Sequence, residues 1–181
     1  MRCFIAFLPS ATQLSELEEF QNKLKSHLNG WRLTQPEKLH LTFLFLGNNV
    51  QESDIENILN ILKKASQFKK FEAQGIGFGA FPSPNFASVL WCGLKGKELL
   101  DLATFIRKEL EGISFKDNKP FKPHFTIART IKNQNVSDLV KKFSSVQWAK
   151  NNWVVDNITL MQSVPSNKGY VYKIIQKFPL K

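Results

Sequence analysis

Two short runs in this chain each set an imidazole and a hydroxyl two residues apart. They are Leu39-His40-Leu41-Thr42-Phe43 and Pro123-His124-Phe125-Thr126-Ile127. Both are rich in Phe, Leu and Ile, the composition of a short strand. On a strand, residues i and i+2 share a face. His40 projects with Thr42, and His124 with Thr126, while Leu41, Phe43, Phe125 and Ile127 point the other way into a core. Imidazole can give or take a proton near neutral pH, and a threonine hydroxyl can donate a hydrogen bond to an anionic oxygen. Two such strands facing each other would make a site for a phosphate. A single His-x-Thr is most often structural, a hydrogen-bonded histidine near a strand end. Here, however, two of the chain's three histidines occupy matching frames, 84 residues apart in a chain of 181. That spacing suggests two similar halves, each contributing one strand to a shared cleft.

The elements that must position these strands are legible in outline. Arg2–Leu8 is an apolar strand closed by Pro9. It is too short for a signal peptide and lacks a small-residue cleavage site. Ser10 and Gln13 form a capping box for a helix with Leu14, Leu17, Phe20, Leu24 and Leu28 on one face, ended by Asn29-Gly30. His27, near that end, is expected to be exposed. Ser53 can cap a second helix carrying Ile55, Ile58, Leu59 and Leu62. Phe71–Phe81 and Phe86–Leu94 form a hairpin, with Gly75, Gly77 and Gly79 at alternate positions implying a bend or a close backbone approach. A third helix covers Lys97 to Glu111 and stops at Gly112. A basic loop with Lys116, Lys119 and Lys122 against Asp117 leads into the second motif strand. Ser137 begins a short fourth helix, and Trp153–Val164 with Tyr170–Phe178 make two last strands. The order predicts an α+β fold over residues 1–181. It has two similar lobes, each a mostly antiparallel sheet with outer helices, related by a pseudo-twofold around a central cleft.

Composition agrees with a globular chain: 43% hydrophobic residues, sixteen Phe and four Trp. No apolar run is long enough to span a membrane. Cys3 and Cys92 offer neither disulfide nor metal-ligand spacing, so a reducing, cytoplasmic setting is expected. A net charge of +10 favours an anionic partner such as nucleic acid, although most of the excess is Lys and scattered Lys is often a solvated surface.

The paired motifs resemble those of the two-histidine phosphoesterases. More narrowly, the chain is similar to the bacterial and archaeal RNA 2′,3′-cyclic phosphodiesterases, also called 2′-5′ RNA ligases. The likeness includes Arg2-Cys3-Phe4-Ile5-Ala6, the Leu39–Gly47 run, Phe81-Pro82 followed by Val89-Leu90-Trp91, the segment Pro120–Arg129, and Ser163 with Gly169-Tyr170. The resemblance implies a single two-lobed catalytic domain, no metal or other cofactor, and action on a 2′,3′-cyclic phosphate. It also implies that His40 is the proton donor and His124 the proton acceptor.

Opening such a phosphate needs a base for the attacking water and an acid for the departing ribose oxygen, one on each side of phosphorus. His124 suits the base and His40 the acid, with Thr42 and Thr126 donating to the non-bridging oxygens. Arg129 is the natural charge clamp, but strict alternation puts it on the wrong face unless the strand ends or bulges before it. Lys122 is expected to be solvated. Phe4, Trp31, Phe81 and Trp91 could stack on bases, but core positions suit them better.

The expected substrate is an RNA or nucleotide with a 2′,3′-cyclic phosphate end, with no membrane partner and a monomeric state. The same acid and base could also join a cyclic end to a 5′-hydroxyl. A non-catalytic RNA-binding module is the alternative, and the intact histidines in both motifs argue against it. A metallohydrolase is disfavoured because no acidic cluster accompanies the two histidines.

Overall fold

The computed structural model describes residues 1–113, 120–167 and 169–181. Lys116, Asp117 and Lys119 of the basic loop lie outside the described residues. In chain order the elements are β1 (Cys3–Phe7), α1 (Ala11–Leu24), β2 (Arg32–Leu33), β3 (Leu41–Gly47), α2 (Glu52–Ala65), β4 (Phe71–Ser83), β5 (Phe86–Lys95), α3 (Lys97–Glu109), β6 (His124–Gln134), α4 (Ser137–Phe143), β7 (Trp153–Val155), β8 (Asn157–Ser166) and β9 (Gly169–Pro179). Every strand pairing among the described residues is antiparallel, and the class is α+β as expected.

The strands run in the order β7-β4-β5-β6-β3-β1-β8-β9, with β2 paired to β6. The motif strands β3 and β6 meet at the middle through one residue pair, Leu41 opposite Phe125. On one side of that junction lie β3, β1, β8 and β9; on the other lie β6, β5, β4 and β7. The lobes are therefore not the two halves of the sequence. The hairpin of the first half, β4–β5, pairs with β6 of the second, and the hairpin β8–β9 returns to β1. A second correction follows at Trp153–Val164, which is two strands. Asp156 divides β7, on the outer edge of one lobe, from β8 in the other. One residue can bridge these positions only if the sheet curls so that its far ends approach. The Leu180 amide donates to the Asp156 carbonyl at 2.7 Å and sews the C-terminal end into the same seam.

The helices follow their local signals. Ser10 and Gln13 make the expected reciprocal cap on α1. α2 starts at Glu52, so Ser53 lies within its first turn; the Asp54 carboxylate accepts from the Gln51 amide instead, at 3.2 Å. Leu17, Phe20 and Leu24 of α1, Ile58 and Leu62 of α2, and Leu99, Leu102 and Ile106 of α3 are all buried. They enter one continuous core with Phe7, Leu41, Phe43 and Phe125, each worth about 1.5–3 kcal/mol on burial. Phe7 and Phe125 meet edge to face with centroids 6.3 Å apart, a contact that joins the two lobes beneath the site. The glycine expectation for β4 is met at Gly79, where an added Cβ would stand 2.2 Å from the Trp91 ring.

Candidate active site

The two histidines sit at equivalent places beside the central junction. His40 immediately precedes β3, and His124 is the first residue of β6. Each is half-buried, and each is followed by a fully buried apolar residue, Leu41 or Phe125, and then by a half-buried threonine. The His40 Nδ1 lies 2.7 Å from the Lys38 carbonyl, and the His124 Nδ1 lies 2.6 Å from the Lys122 carbonyl. A carbonyl can only accept, so Nδ1 carries the hydrogen in both rings and donates it. This local i−2 bond fixes the tautomer and leaves Nε2 as the atom that exchanges protons. Neither Nε2 nor the hydroxyls of Thr42 and Thr126 has a hydrogen-bond partner among the described residues.

The alternation that tells against Arg129 is broken by a bulge. Leu90 and Trp91 are adjacent on β5, yet they pair with Ala128 and Thr126 on β6, so Ile127 is the extra residue. Ile127 and Ala128 are both buried, and Arg129 emerges exposed on the groove side. β3 carries the same device: Ile5 and Ala6 pair with Leu44 and Thr42, and Phe43 is extra. The fifth position after each histidine is thereby returned to the open face, as Phe45 in one lobe and Arg129 in the other. The β6 bulge is held from behind. The Ile127 carbonyl accepts from the buried Gln21 side-chain amide at 2.8 Å and from the Thr34 amide at 2.9 Å. Gln21 also donates to the Thr34 carbonyl at 2.9 Å.

Each imidazole has an aromatic wall. His40 lies 4.9 Å from the Phe4 ring and 5.1 Å from the Tyr172 ring; His124 lies 5.1 Å from Phe81 and 6.1 Å from Trp91. Phe4, Phe81 and Trp91 thus serve the histidines directly, a role that their apolar character concealed in the sequence. Tyr172 gave no sequence signal at all, because it reaches the site only through the return of the β8–β9 hairpin to β1. Lys122 is exposed but not freely solvated: its ammonium stands 4.1 Å above the Trp91 ring, where partial burial lowers its pKa. His27 is exposed on a short 3-10 turn after α1, away from the motif strands.

Electrostatics follows from these surroundings. Burial pushes the His40 pKa down to about 4; the Lys38 carbonyl opposes the shift, and the nearby charges of Arg129 and His124 add to it. His124 is lowered too, by burial first and then by Lys122 and Arg129, against the pull of its own carbonyl partner. These surroundings hold both imidazoles neutral near pH 7. An anion placed between them would reverse that preference.

Of the five sequence-derived candidates, His40, Thr126 and Arg129 line one groove of about 1250 Å³. His124 is near enough for its charge to depress His40. His124 and Thr42 stand outside the residues that line this groove; Thr42 of β3, half-buried between Leu41 and Phe43, shares the face of His40. Among the described residues, no group of three or more His, Cys, Asp or Glu is placed to hold a metal ion.

A family model described as the AKAP7 2′5′ RNA ligase-like domain matches residues 4–180. This chain belongs to that family. It is 34% identical over 180 residues to the RNA 2′,3′-cyclic phosphodiesterase of Archaeoglobus fulgidus, covering 98% of this chain and 99% of the relative. It is 30% identical over 181 residues to the enzyme of the same name from Methanocaldococcus jannaschii, covering 98% and 100%. The crystal structure of the Thermus thermophilus protein TT0787 superposes with a TM-score of 0.86 at 29% identity, covering 99% of this chain and 98% of that one. The Escherichia coli LigT structure complexed with 3′-AMP shares the fold at a TM-score of 0.75 and 21% identity, covering 99% and 97%. The two-lobed phosphoesterase architecture is therefore that of the family, and the matched region includes both histidine motifs.

Proposed function

We propose that this chain is a phosphodiesterase that opens 2′,3′-cyclic phosphates at RNA or nucleotide ends to 2′-phosphates, with residues 1–181 acting as one two-lobed catalytic domain. The observation that carries this is the matched pair of imidazoles, one beside each central strand, each with Nδ1 tied to a carbonyl and Nε2 left for proton transfer. Relatives named RNA 2′,3′-cyclic phosphodiesterase over their full length support the substrate class.

The reaction runs in line. Neutral His124 takes a proton from water through Nε2 as the water oxygen bonds to phosphorus. The bond from phosphorus to the ribose 3′-oxygen breaks, and protonated His40 delivers a proton to that oxygen. Thr42 and Thr126 donate to the non-bridging oxygens, and Arg129 balances the charge gathering there. His40, held low by burial, must be raised by the substrate, and the phosphate anion supplies the field that does so. If a 5′-hydroxyl takes the place of the water, the same groups form a 2′-5′ linkage.

The test is incubation with a 2′,3′-cyclic nucleotide and a cyclic-ended oligoribonucleotide in EDTA, with separation of the 2′- and 3′-phosphate products. A 2′-phosphate formed without added metal is expected. A 3′-phosphate would mean that the substrate sits reversed between the histidines. Activity that appears only with a divalent ion, or no hydrolysis at all, would overturn the proposal.

A further inference from the structure

The groove at His40 is larger than one nucleotide needs. Sites for single small ligands run to about 1,000 Å³, whereas this groove measures about 1250 Å³ and extends well beyond the histidines. It leaves the motif residues along the distal half of β6, where β6 has parted from β3 and pairs with β2 instead. The Gly30–Thr34 segment and distal β6 form one side, and Asn167, Gly169 and Tyr170 of the β8–β9 hairpin form the other. Thr130 fixes the first side by donating to the Gly30 carbonyl at 3.0 Å.

The chemistry of this extension is uneven in an informative way. Arg32 and Lys132 line it beyond Arg129, both exposed, and neither side chain has an ion-pair or hydrogen-bond partner among the described residues. Ile131 also lines it while 89% exposed, and Tyr170 stands on the hairpin side at 46% exposed. Buried packing cannot account for an isoleucine left that open. Cations at intervals, with apolar and aromatic surfaces between them, are what a single strand of nucleic acid requires: charges for phosphates, flat faces for bases. Among the described residues, the adjoining groove toward Val171 contains Glu37 and offers only Lys38 as a cation, so charge favours the β6 direction.

We infer that this extension is a track for the body of an RNA strand on the 5′ side of its cyclic end. Arg32 and Lys132 contact backbone phosphates, and Ile131 and Tyr170 contact bases. The inference rests on the proposed cyclic phosphodiesterase activity and adds a substrate preference: oligoribonucleotides over mononucleotides, through KM.

The experiment compares a 2′,3′-cyclic mononucleotide with a cyclic-ended oligoribonucleotide of about eight nucleotides, within the site sizes of single-strand grooves. Wild type and the Arg32→Ala/Lys132→Ala double variant are each assayed over a range of salt. The double variant should raise KM for the oligomer roughly tenfold and flatten its salt dependence by about two phosphate contacts. Mononucleotide turnover, which does not extend to these residues, serves as the folding control and stays within about twofold. Tyr170→Ala should raise the oligomer KM without changing the salt slope. Equal effects on both substrates, or no effect on the oligomer, overturn the track. If wild type hydrolyses neither substrate, the proposed activity has failed. The track is then tested by fluorescence anisotropy of a labelled 3′-phosphorylated oligomer, which must bind the double variant more weakly than wild type.

Discussion

At the scale of single residues, the period of two was enough to pair His40 with Thr42 and His124 with Thr126 as candidates, because strand alternation is a property of the backbone. Arg129 was legible only conditionally; its position depends on a bulge at Ile127 that no residue type announces. The carbonyls of Lys38 and Lys122 were invisible for a different reason, since any residue two positions upstream offers one. His40→Ala and His124→Ala should each lose roughly 10²- to 10⁴-fold in turnover of a cyclic nucleotide, the range for a general acid or base, with thermal unfolding retained. Steady-state kinetics and calorimetry check both. A nitrophenyl phosphodiester separates the two roles, because its leaving group does not need a proton. The His40 variant should recover on that substrate and the His124 variant should not. Rescue of the His124 variant alone would exchange acid and base. The pKa shifts carry a stability consequence. His40 sits at about 4 in the fold against an ordinary 6.5, and His124 is lowered as well. As pH falls, the unfolded chain binds these protons first. The fold should therefore be least penalised above about pH 6.5 and lose stability as pH drops toward 4. Urea midpoints for wild type should fall across that window, and those of His40→Asn should fall less steeply.

At the scale of elements, helical periodicity located α1, α2, α3 and α4, since that signal is local, although Ser53 lies inside α2 and Leu28 falls beyond the end of α1. Neighbours in the sheet were not legible. Alternation says that Phe86–Leu94 is a strand but not that it belongs beside β6, nor that Trp153–Val164 divides at Asp156 to serve both lobes. Gln21 was hidden for the same reason. It lies on the helix face that enters the core, and its amide acts on a carbonyl 106 residues away. That bond gives an element-scale prediction. Gln21→Ala removes a donor from the Ile127 and Thr34 carbonyls, so it should cost about 1–3 kcal/mol of stability, the penalty for buried acceptors left short of partners. It should also lower kcat/KM through a mobile Arg129. In Arg129→Ala that second loss should disappear: the double variant should be no slower than Arg129→Ala alone, while still unfolding more readily. Independent losses in activity would mean that Gln21 stabilises α1 without positioning the bulge.

At the scale of the whole molecule, the swapped hairpins explain why two lobes built from both halves of the sequence present one site. The central strand β6 is braced by β5 from the first half, β1 beside β3 is paired in turn with β8 from the second half, and Phe7 and Phe125 lock the lobes together below the histidines. The paired motifs made the likeness of the halves readable, but the exchange between them appears only in three dimensions. Arg129 lies close enough to influence both imidazoles, and His124 lies close enough to influence His40. The central claim is that the two histidines act in one reaction at one phosphorus atom. Groups that act as a unit are strongly non-additive. The most direct test is therefore the turnover of a 2′,3′-cyclic nucleotide by His40→Ala, His124→Ala and the double variant, measured side by side. The double variant should be no more than about tenfold slower than the slower single variant, because the concerted transfer is already lost when either imidazole is gone. Losses that multiply, or one histidine whose removal leaves turnover unchanged, would contradict the account.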